Sequence, residues 1–589
     1  MNTALLIIWH LPLYNNCLME FIEDLNHEPK IAYFSMEIGL KNSIPTYSGG
    51  LGVLAGDTIK SAADLDLPMI AVTLLTKKGY FTQEIDPSGN QNELPAEWDP
   101  SKQLTLLPHK VDVTIEGRPV RLQCWMYIVE SVAGGRVPVF FLDSDMAVNH
   151  DEDRGITHYL YGGDDRYRIK QEIVLGIGGV RMLKALGFEV RKYHMNEGHA
   201  ALLTFELLMT FRKDVEEVWD EDLIWDVERV KGLCVFTTHT PVEAGHDEFP
   251  YDTFLDICGE FLPLHILKGL AGETMLNMTM LGLNLSKYVN GVARKHGEVS
   301  RSMFPGYEIN AITNGVHSYT WTCDPMKAVF DRYIPGWANE PELFVRADRI
   351  PGKAIWNAHY KAKKALIDFV NSSTGSQLNY DTLTIGFARR VASYKRAALI
   401  FSDVDRLKAI GKGKLQLIFA GKAHPRDNDS KELIRRIFNY AEQLRDSINI
   451  TYVQNYDMDI ALKLISGTDI WLNNPLRPFE ASGTSGMKAA HNGILNFSVL
   501  DGWWIEGHIE GVTGWSIGPA PVTGSESLEE SDETDVHDLY EKLENIIIPM
   551  YYDNRKEWIV MMKNAIAKIS YYFNTHRMMR RYVTEAYIR

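Results

Sequence analysis

Lys488 stands just inside a helical pattern that opens from a glycine-rich loop, in the stretch EASGTSGMKAAHNGILNFSVLDG at 480–502. Gly483 and Gly486 permit backbone turns and close approaches that a Cβ would block. The free N–H groups of a first helical turn, with the hydroxyls of Ser482, Thr484 and Ser485, suit an anion such as a phosphate. A lysine beside a phosphate cradle is what an enzyme needs to hold pyridoxal phosphate as a Schiff base.

The second chemical cluster is ARRVASYKR at 388–396, where Arg389, Arg390, Lys395 and Arg396 follow an apolar strand pattern. Strand ends in parallel α/β sheets point into the ligand crevice. Four cations there suit phosphate oxygens, guanidinium forks in a bidentate way and lysine as a compact charge. Two dianions held close together would need several such cations. A basic helix start on the surface is the plainer alternative.

TYSGGLGVLAGDTIKSA at 46–62 leads from Gly49, Gly50 and Gly52 into a helix. Alone it is an ordinary turn; opposite a phosphate it would offer backbone N–H groups. In FTTHTPVEAGHDEF at 236–249, His239 follows an apolar strand, where a hydrogen-bonded structural histidine would also fit. The pairs His239/His246 and His194/His199 lack zinc-like spacing with carboxylates, so no metal is expected. NEGH at 196–199 and ITNGVH at 312–317 carry groups suited to sugar hydroxyls, each with an ordinary turn as the alternative. FAGKAHPRD at 419–427 adds Lys422 at another strand end.

Positioning these groups takes a large framework. A chain of 589 residues exceeds one ordinary core and implies two large domains. Its 45% hydrophobic and 23% charged content is that of a globular protein. The net charge of −16 argues against nucleic acid as a partner. Five scattered cysteines without CxxC spacing fit a reducing, cytoplasmic setting. The opening apolar run is too short to span a bilayer and reads as an extension, with Met19 an alternative start. No membrane partner is expected.

Strand patterns at 31–35, 69–74, 111–115, 122–127, 137–142, 188–194, 233–237 and 308–312 occupy the first half, with helical patterns at 57–66 and 167–186. In the second half, strands at 382–387, 415–420, 448–453, 470–473 and 494–499 alternate with helices at 397–410, 431–444, 459–465 and 486–491. That alternation marks βαβ units and parallel sheets. The expected fold is α/β, two doubly wound Rossmann-like domains facing across a cleft, of the GT-B type. The expected division is an extension at 1–18, a first domain at 19–320, a second at 321–560 and a C-terminal helix at 561–589. Residues 524–537 read as an acidic solvated loop, and 557–587 as one amphipathic packing helix with its arginines in solvent.

With these motifs assembled, the chain resembles the α-glucan phosphorylases, the glycogen, starch and maltodextrin phosphorylase family. EASGTSGMK looks like that family's pyridoxal phosphate signature. RRVASYKR at 389–396, THT at 238–240, ITNG at 312–315 and GGLG at 49–52 match its other active-site segments in the same order. The resemblance implies a cofactor, pyridoxal phosphate, on Lys488. Its phosphate would be faced by Thr484, Arg389 and the amides of Gly50 and Leu51, with Tyr456 nearby. Arg390 and Lys395, with the Gly50 backbone, would bind inorganic phosphate. Asn314, Glu480, Ser482 and Gly483 would contact the glucosyl unit. His239 would bond the sugar through its ring and offer its carbonyl to positive charge at the anomeric carbon. The first domain would be the glucan and phosphate side, the second the cofactor side.

The implied reaction is phosphorolysis of an α-1,4-glucan by inorganic phosphate, giving glucose 1-phosphate with retention. A homodimer is the family's common state. The chain lacks the long N-terminal region of muscle-type members, so their phosphorylation and nucleotide control are not expected. Gly39 stands where longer members carry a tyrosine near the cofactor, Asp457 where they carry arginine, and NEGH replaces NDTH. These departures fit a short bacterial or archaeal branch. The rival readings are a nucleotide-sugar-dependent glucan synthase, which has no use for Lys488, a glycosidase using Glu37 and Glu480, which has no use for the basic cluster, and a non-catalytic glucan-binding protein.

Overall fold

The computed structural model describes residues 22–23, 25–218, 220–519 and 532–588. Its first sheet has nine strands in the spatial order Asn310–Ala311, Tyr288–Gly291, Cys234–Thr237, Val190–Asn196, Lys30–Ser35, Met69–Leu74, Arg136–Asp143, Arg118–Glu130 and Thr105–Ile115. Pairing is parallel up to Arg136–Asp143, and the last two strands run antiparallel. Lys30–Ser35 is buried along its whole length. Ala32 and Phe34 join one apolar cluster while Ile31 and Tyr33 join another on the opposite face. A strand buried on both faces reads as a continuous apolar run rather than an alternation.

The second sheet is all parallel, in the order Asn449–Val453, Leu415–Ala420, Leu383–Ala388, Ile470–Asn473, Leu495–Val499 and Gly514–Ile517. Counted along the chain this is 3-2-1-4-5-6, the doubly wound order whose crossovers part between its first and fourth strands. The cation-rich 388–396 segment follows the first of these strands, and the 480–488 loop lies beyond the fourth. Both therefore open at the switch point.

Three helices matter most to the site. Helix α1 (Gly50–Asp64) begins at the GGLG turn and is buried along most of its length. Helix α2 (Ser485–His491) carries Lys488. Helix α3 (Thr575–Tyr582) lies near the end of the chain yet packs on the first sheet, where Met578, Met579 and Tyr582 share a core with Leu54, Ile59 and Ala62 of α1.

Several expectations are corrected. The expected single helix at 557–587 is broken: Arg555–Ala565 and a π turn at Ile566–Ser570 precede α3, which Asn574 caps by accepting the Arg577 N–H at 2.9 Å. The break follows from contact with the 312–317 loop, since Gly315 has no room for a Cβ against the Asn574 backbone. The helix expected at 397–410 is reduced to a 3-10 turn, Leu399–Phe401, and a helix at Val404–Gly411. Residues 532–537 of the expected acidic loop begin the helix Asp532–Lys542. The rest of that loop, 524–531, and the expected 1–18 extension lie outside the described residues. Strands Tyr288–Gly291 and Gly514–Ile517, and a hairpin of Thr82–Ile85 with Gln91–Leu94, had no expectation. No helix among the described residues is long and apolar enough to cross a membrane.

Candidate active site

One cavity of about 1040 Å³ lies between the two sheets. His239, Arg390, Lys395, Lys488, Thr484, Arg389, Tyr456, Gly50, Leu51, Asn314, Glu480, Ser482 and Gly483 all line it. Every candidate residue thus reaches the same space, from at least six separate stretches of chain.

The lysine is set in an apolar frame. Lys488 is buried and its ammonium sits 3.9 Å from the centre of the Trp321 ring. Burial pushes its pKa down from 10.5 to about 8, because the charged form is the one desolvation penalises. A substantial neutral fraction near physiological pH is what a nucleophilic amine requires. The cap of α2 is not closed by a side chain; Ser485 instead accepts the Trp471 indole N–H at 2.9 Å. Ser482 Oγ is buried without a partner.

The cations divide into two sets, which corrects the expectation of four facing the cleft. Arg389 gives one N–H to Leu472 O at 2.8 Å, and its buried Nε has no partner. Arg390 and Lys395 line the cavity. Lys395 is ion-paired with Glu480, so the groups expected at phosphate and sugar meet each other. Arg396 points away: in a left-handed backbone turn it donates to Asn474 O and Pro475 O and pairs with Asp532 and Asp535. Its role is to brace the loop after the fourth strand.

The opposite wall begins at α1. A Cβ at Gly49 or Gly50 would meet no protein atom within 4 Å, so the space beside this turn is open. Glu37 fixes that turn by accepting the N–H groups of Ser48 at 2.5 Å and Gly49 at 3.2 Å, with Tyr161 donating to its other oxygen at 3.0 Å. Glu37 thus serves as the acceptor that shapes this turn. Gly39 is filled by a neighbour, since a Cβ there would lie 3.3 Å from the Tyr47 ring. Asp457 caps a helix by accepting the Ile460 N–H at 2.8 Å.

His239 is held twice. Its ring meets Asn196 Oδ1 at 2.7 Å and its backbone N–H donates to Glu197 at 2.7 Å. Burial pushes its pKa down to about 3, so the ring is neutral at pH 7. Glu197 itself is buried and sits at φ +76°, a costly conformation for a non-glycine residue. The other histidines of the expected pairs are engaged elsewhere: His194 with Tyr587 and Thr237, His199 with Arg168, His246 with Thr279. Asp64, His317 and His576 gather within 4.8 Å of one another, away from the cavity. The Thr320 amide donates to His317 Nδ1, leaving that ring's proton on Nε2 facing Asp64, which makes the trio a hydrogen-bonded latch.

Two supporting residues escaped sequence reading. Arg577 of α3, expected in solvent, donates to Thr313 O at 2.7 Å and Asn314 O at 3.0 Å and so fixes the ITNG turn, leaving Asn314 Oδ1 buried and unpartnered. Asp501 accepts the Glu480 N–H at 2.9 Å from below the glucosyl loop, and burial raises its carboxyl to about 7. The LDG at 500–502 was a visible signal for the second; nothing local marks the first.

Orphaned polar atoms on Arg389, Ser482 and Asn314, an open glycine turn and a lysine of lowered pKa fit a phosphorylated aldehyde cofactor lying beside a second anion. The chain is an α/β enzyme with its cavity at the switch point of the second sheet, and it belongs to the carbohydrate phosphorylase family. That family's model, Carbohydrate phosphorylase, matches residues 260–512. The maltodextrin phosphorylase of Thermococcus litoralis is 42% identical over 95% of this chain and 70% of its own length. The glycogen phosphorylase of Aquifex aeolicus is 35% identical over 96% of this chain and 87% of its own. That of Mycobacterium tuberculosis is 37% identical over 95% and 70%.

Proposed function

We propose that this chain is a pyridoxal phosphate-dependent α-1,4-glucan phosphorylase, releasing glucose 1-phosphate from glycogen or maltodextrin. The observation that carries the reading is Lys488, a buried amine of lowered pKa in one cavity with Arg389, Arg390 and Lys395. A nucleotide-sugar synthase has no use for that amine.

When bound, the cofactor supplies a phosphate whose second pKa near ~6 suits proton exchange at neutral pH. Lys488 anchors it, and Arg389, Thr484 and the amides of Gly50 and Leu51 hold its phosphate. Arg390 and Lys395 bind inorganic phosphate alongside, where their charge also steadies an anion against positive charge developing at the anomeric carbon. Asn314, Glu480, Ser482 and Gly483 orient the glucosyl unit. His239, kept neutral and fixed by Asn196 and Glu197, donates to or accepts from the sugar without adding charge, and its carbonyl faces the reacting carbon. Tyr80, Tyr161 and Tyr394 wall the cavity with largely apolar rings. Buried free thiols at Cys124, Cys234, Cys258 and Cys323 agree with a cytoplasmic setting. A homodimer is carried from the family resemblance.

Glucose 1-phosphate release from a maltooligosaccharide ladder, with phosphate present and absent, tests the reaction. Lys488→Ala is expected to lose both retained cofactor and at least ~10³-fold in turnover. Native-like turnover in that variant refutes the role of Lys488.

A further inference from the structure

Two turns into α1 from the Gly50 amides lies a carboxylate that the reaction does not use. Asp57 is 1% exposed. It accepts the Trp321 indole N–H through both oxygens, at 2.7 and 3.0 Å, and this is its one hydrogen-bond donor among the described residues. Above the face of the same indole sits the Lys488 ammonium, 3.9 Å from the ring centre. A carboxylate buried this deeply ordinarily needs several donors or a contacting cation. Here the balancing charges are two ammonium groups acting through space, those of Lys60 on α1 and Lys488 on α2. The other walls of the cavity carry further titratable groups, among them Arg389, Arg390, Lys395, Glu480, Tyr456 and Asp457, with Lys395 already paired to Glu480; the charges that act on Lys488 most strongly are those of Asp57 and Lys60.

We propose that Asp57 is a positioning residue for Lys488: its negative charge, relayed by the Trp321 indole, holds the lysine over the ring and sets how tightly that amine keeps its proton. The inference rests on reading Lys488 as the cofactor lysine. The physical basis is additive. A cation over an indole face is attracted by the ring quadrupole, and a hydrogen bond from the indole N–H to an anion enriches that face further. The field of Asp57 acts directly as well, in an interior that screens poorly. Lys60 opposes it, so the lysine's proton affinity reflects a contest between one carboxylate and one ammonium on the same helix. Trp321 ends the short helix Ser318–Trp321, beyond the first sheet, so the relay joins α1 to the segment bearing Lys488.

The test is a titration of Lys488 in the full-length chain freed of cofactor, by competitive labelling with trace acetic anhydride from about pH 6 to about pH 10 and mass spectrometry of the Lys488 peptide. The native midpoint is expected near about 8. Asp57→Asn keeps an acceptor for the indole and loses the charge; its midpoint should fall by about one pH unit, roughly tenfold more neutral amine at fixed pH. Lys60→Met should move it upward. A merely structural Asp57 would change melting and leave the midpoint alone, and an unmoved midpoint in Asp57→Asn overturns the proposal. Should that variant fail to fold, an unmoved midpoint in Lys60→Met overturns it equally. The titration needs no cofactor, so a chain that never takes up pyridoxal phosphate would sink the Lys488 reading and leave the Asp57 shift to be judged separately.

Discussion

Lys395 and Glu480 satisfy one another in this structure, although one is expected at the phosphate and the other at the sugar. A phosphate dianion that takes Lys395 must break that pair and then endure the carboxylate left beside it. Glu480→Gln should therefore lower the KM for phosphate about threefold to tenfold, by removing a charge at contact distance. It should raise the KM for glucan about tenfold, through a lost charged hydrogen bond to a hydroxyl. Steady-state kinetics with each substrate varied checks this; a rise in both constants would show that the pair aids phosphate binding instead. Asp501 adds to the contest. Its raised carboxyl ionises around pH 7 beneath Glu480, bringing a second negative charge toward the same ammonium.

At the level of elements, the site is held shut by a hairpin the sequence did not announce. Strands Thr82–Ile85 and Gln91–Leu94 belong to the first half, yet their glutamines grip the strand ends of the second. Gln83 donates to Gly421 O and accepts from Asn455 N–H, both at 2.8 Å. Gln91 closes a reciprocal pair with Ala423, 2.9 Å each way. Replacing both glutamines by alanine strips the buried Ala423 N–H and C=O of their partner, at about 1–3 kcal/mol each, while Gly421 O keeps the Tyr452 hydroxyl. The expected result is a loosened cleft: KM for glucan up about tenfold or more, and a measurable share of free glucose beside glucose 1-phosphate as water enters. An unchanged product ratio would mean that the hairpin only decorates the cleft. Helix α3 acts similarly on a smaller scale, since Arg577 fixes the turn that carries Asn314.

For the molecule as a whole, buried histidines set the acid limit. His194, His199 and His239 are each pushed down to about 3 by burial, and His296 and His491 to about 4. A histidine whose folded pKa lies below its unfolded value gives stability that is intact above about pH 6.5 and lost as the pH falls toward the folded value. Asp501 runs the other way: its raised pKa favours the fold below its ordinary 3.8 and that gain is lost as pH rises toward about 7. Glu172, Glu197 and Asp457 are raised like Asp501, while His158, His246, His317 and His424 are lowered like the five. The larger set of histidines predicts that the urea midpoint declines from about pH 6.5 to about pH 4, each pKa unit counting for about 1.4 kcal/mol at most. A flat profile over that range would show that these rings are solvated on titration.

By itself the sequence determined the chemistry and the architecture that presents it. Strand-and-helix alternation specified doubly wound sheets because hydrophobic period and turn residues are local properties. The 388–396 and 480–488 segments could be read as cavity walls because a strand end and a glycine turn in a doubly wound sheet face the crevice. Tertiary structure alone decided which cations face the cavity. Arg396 is as basic as Arg390, but a left-handed turn sends it to Asp532 and Asp535. It likewise decided that Arg577 reaches Asn314 and that Asp57 stands behind the ring supporting Lys488. Those partners lie more than a hundred residues apart along the chain; only folding brings them within hydrogen-bond reach, and no spacing or periodicity encodes a distance that the fold has yet to create.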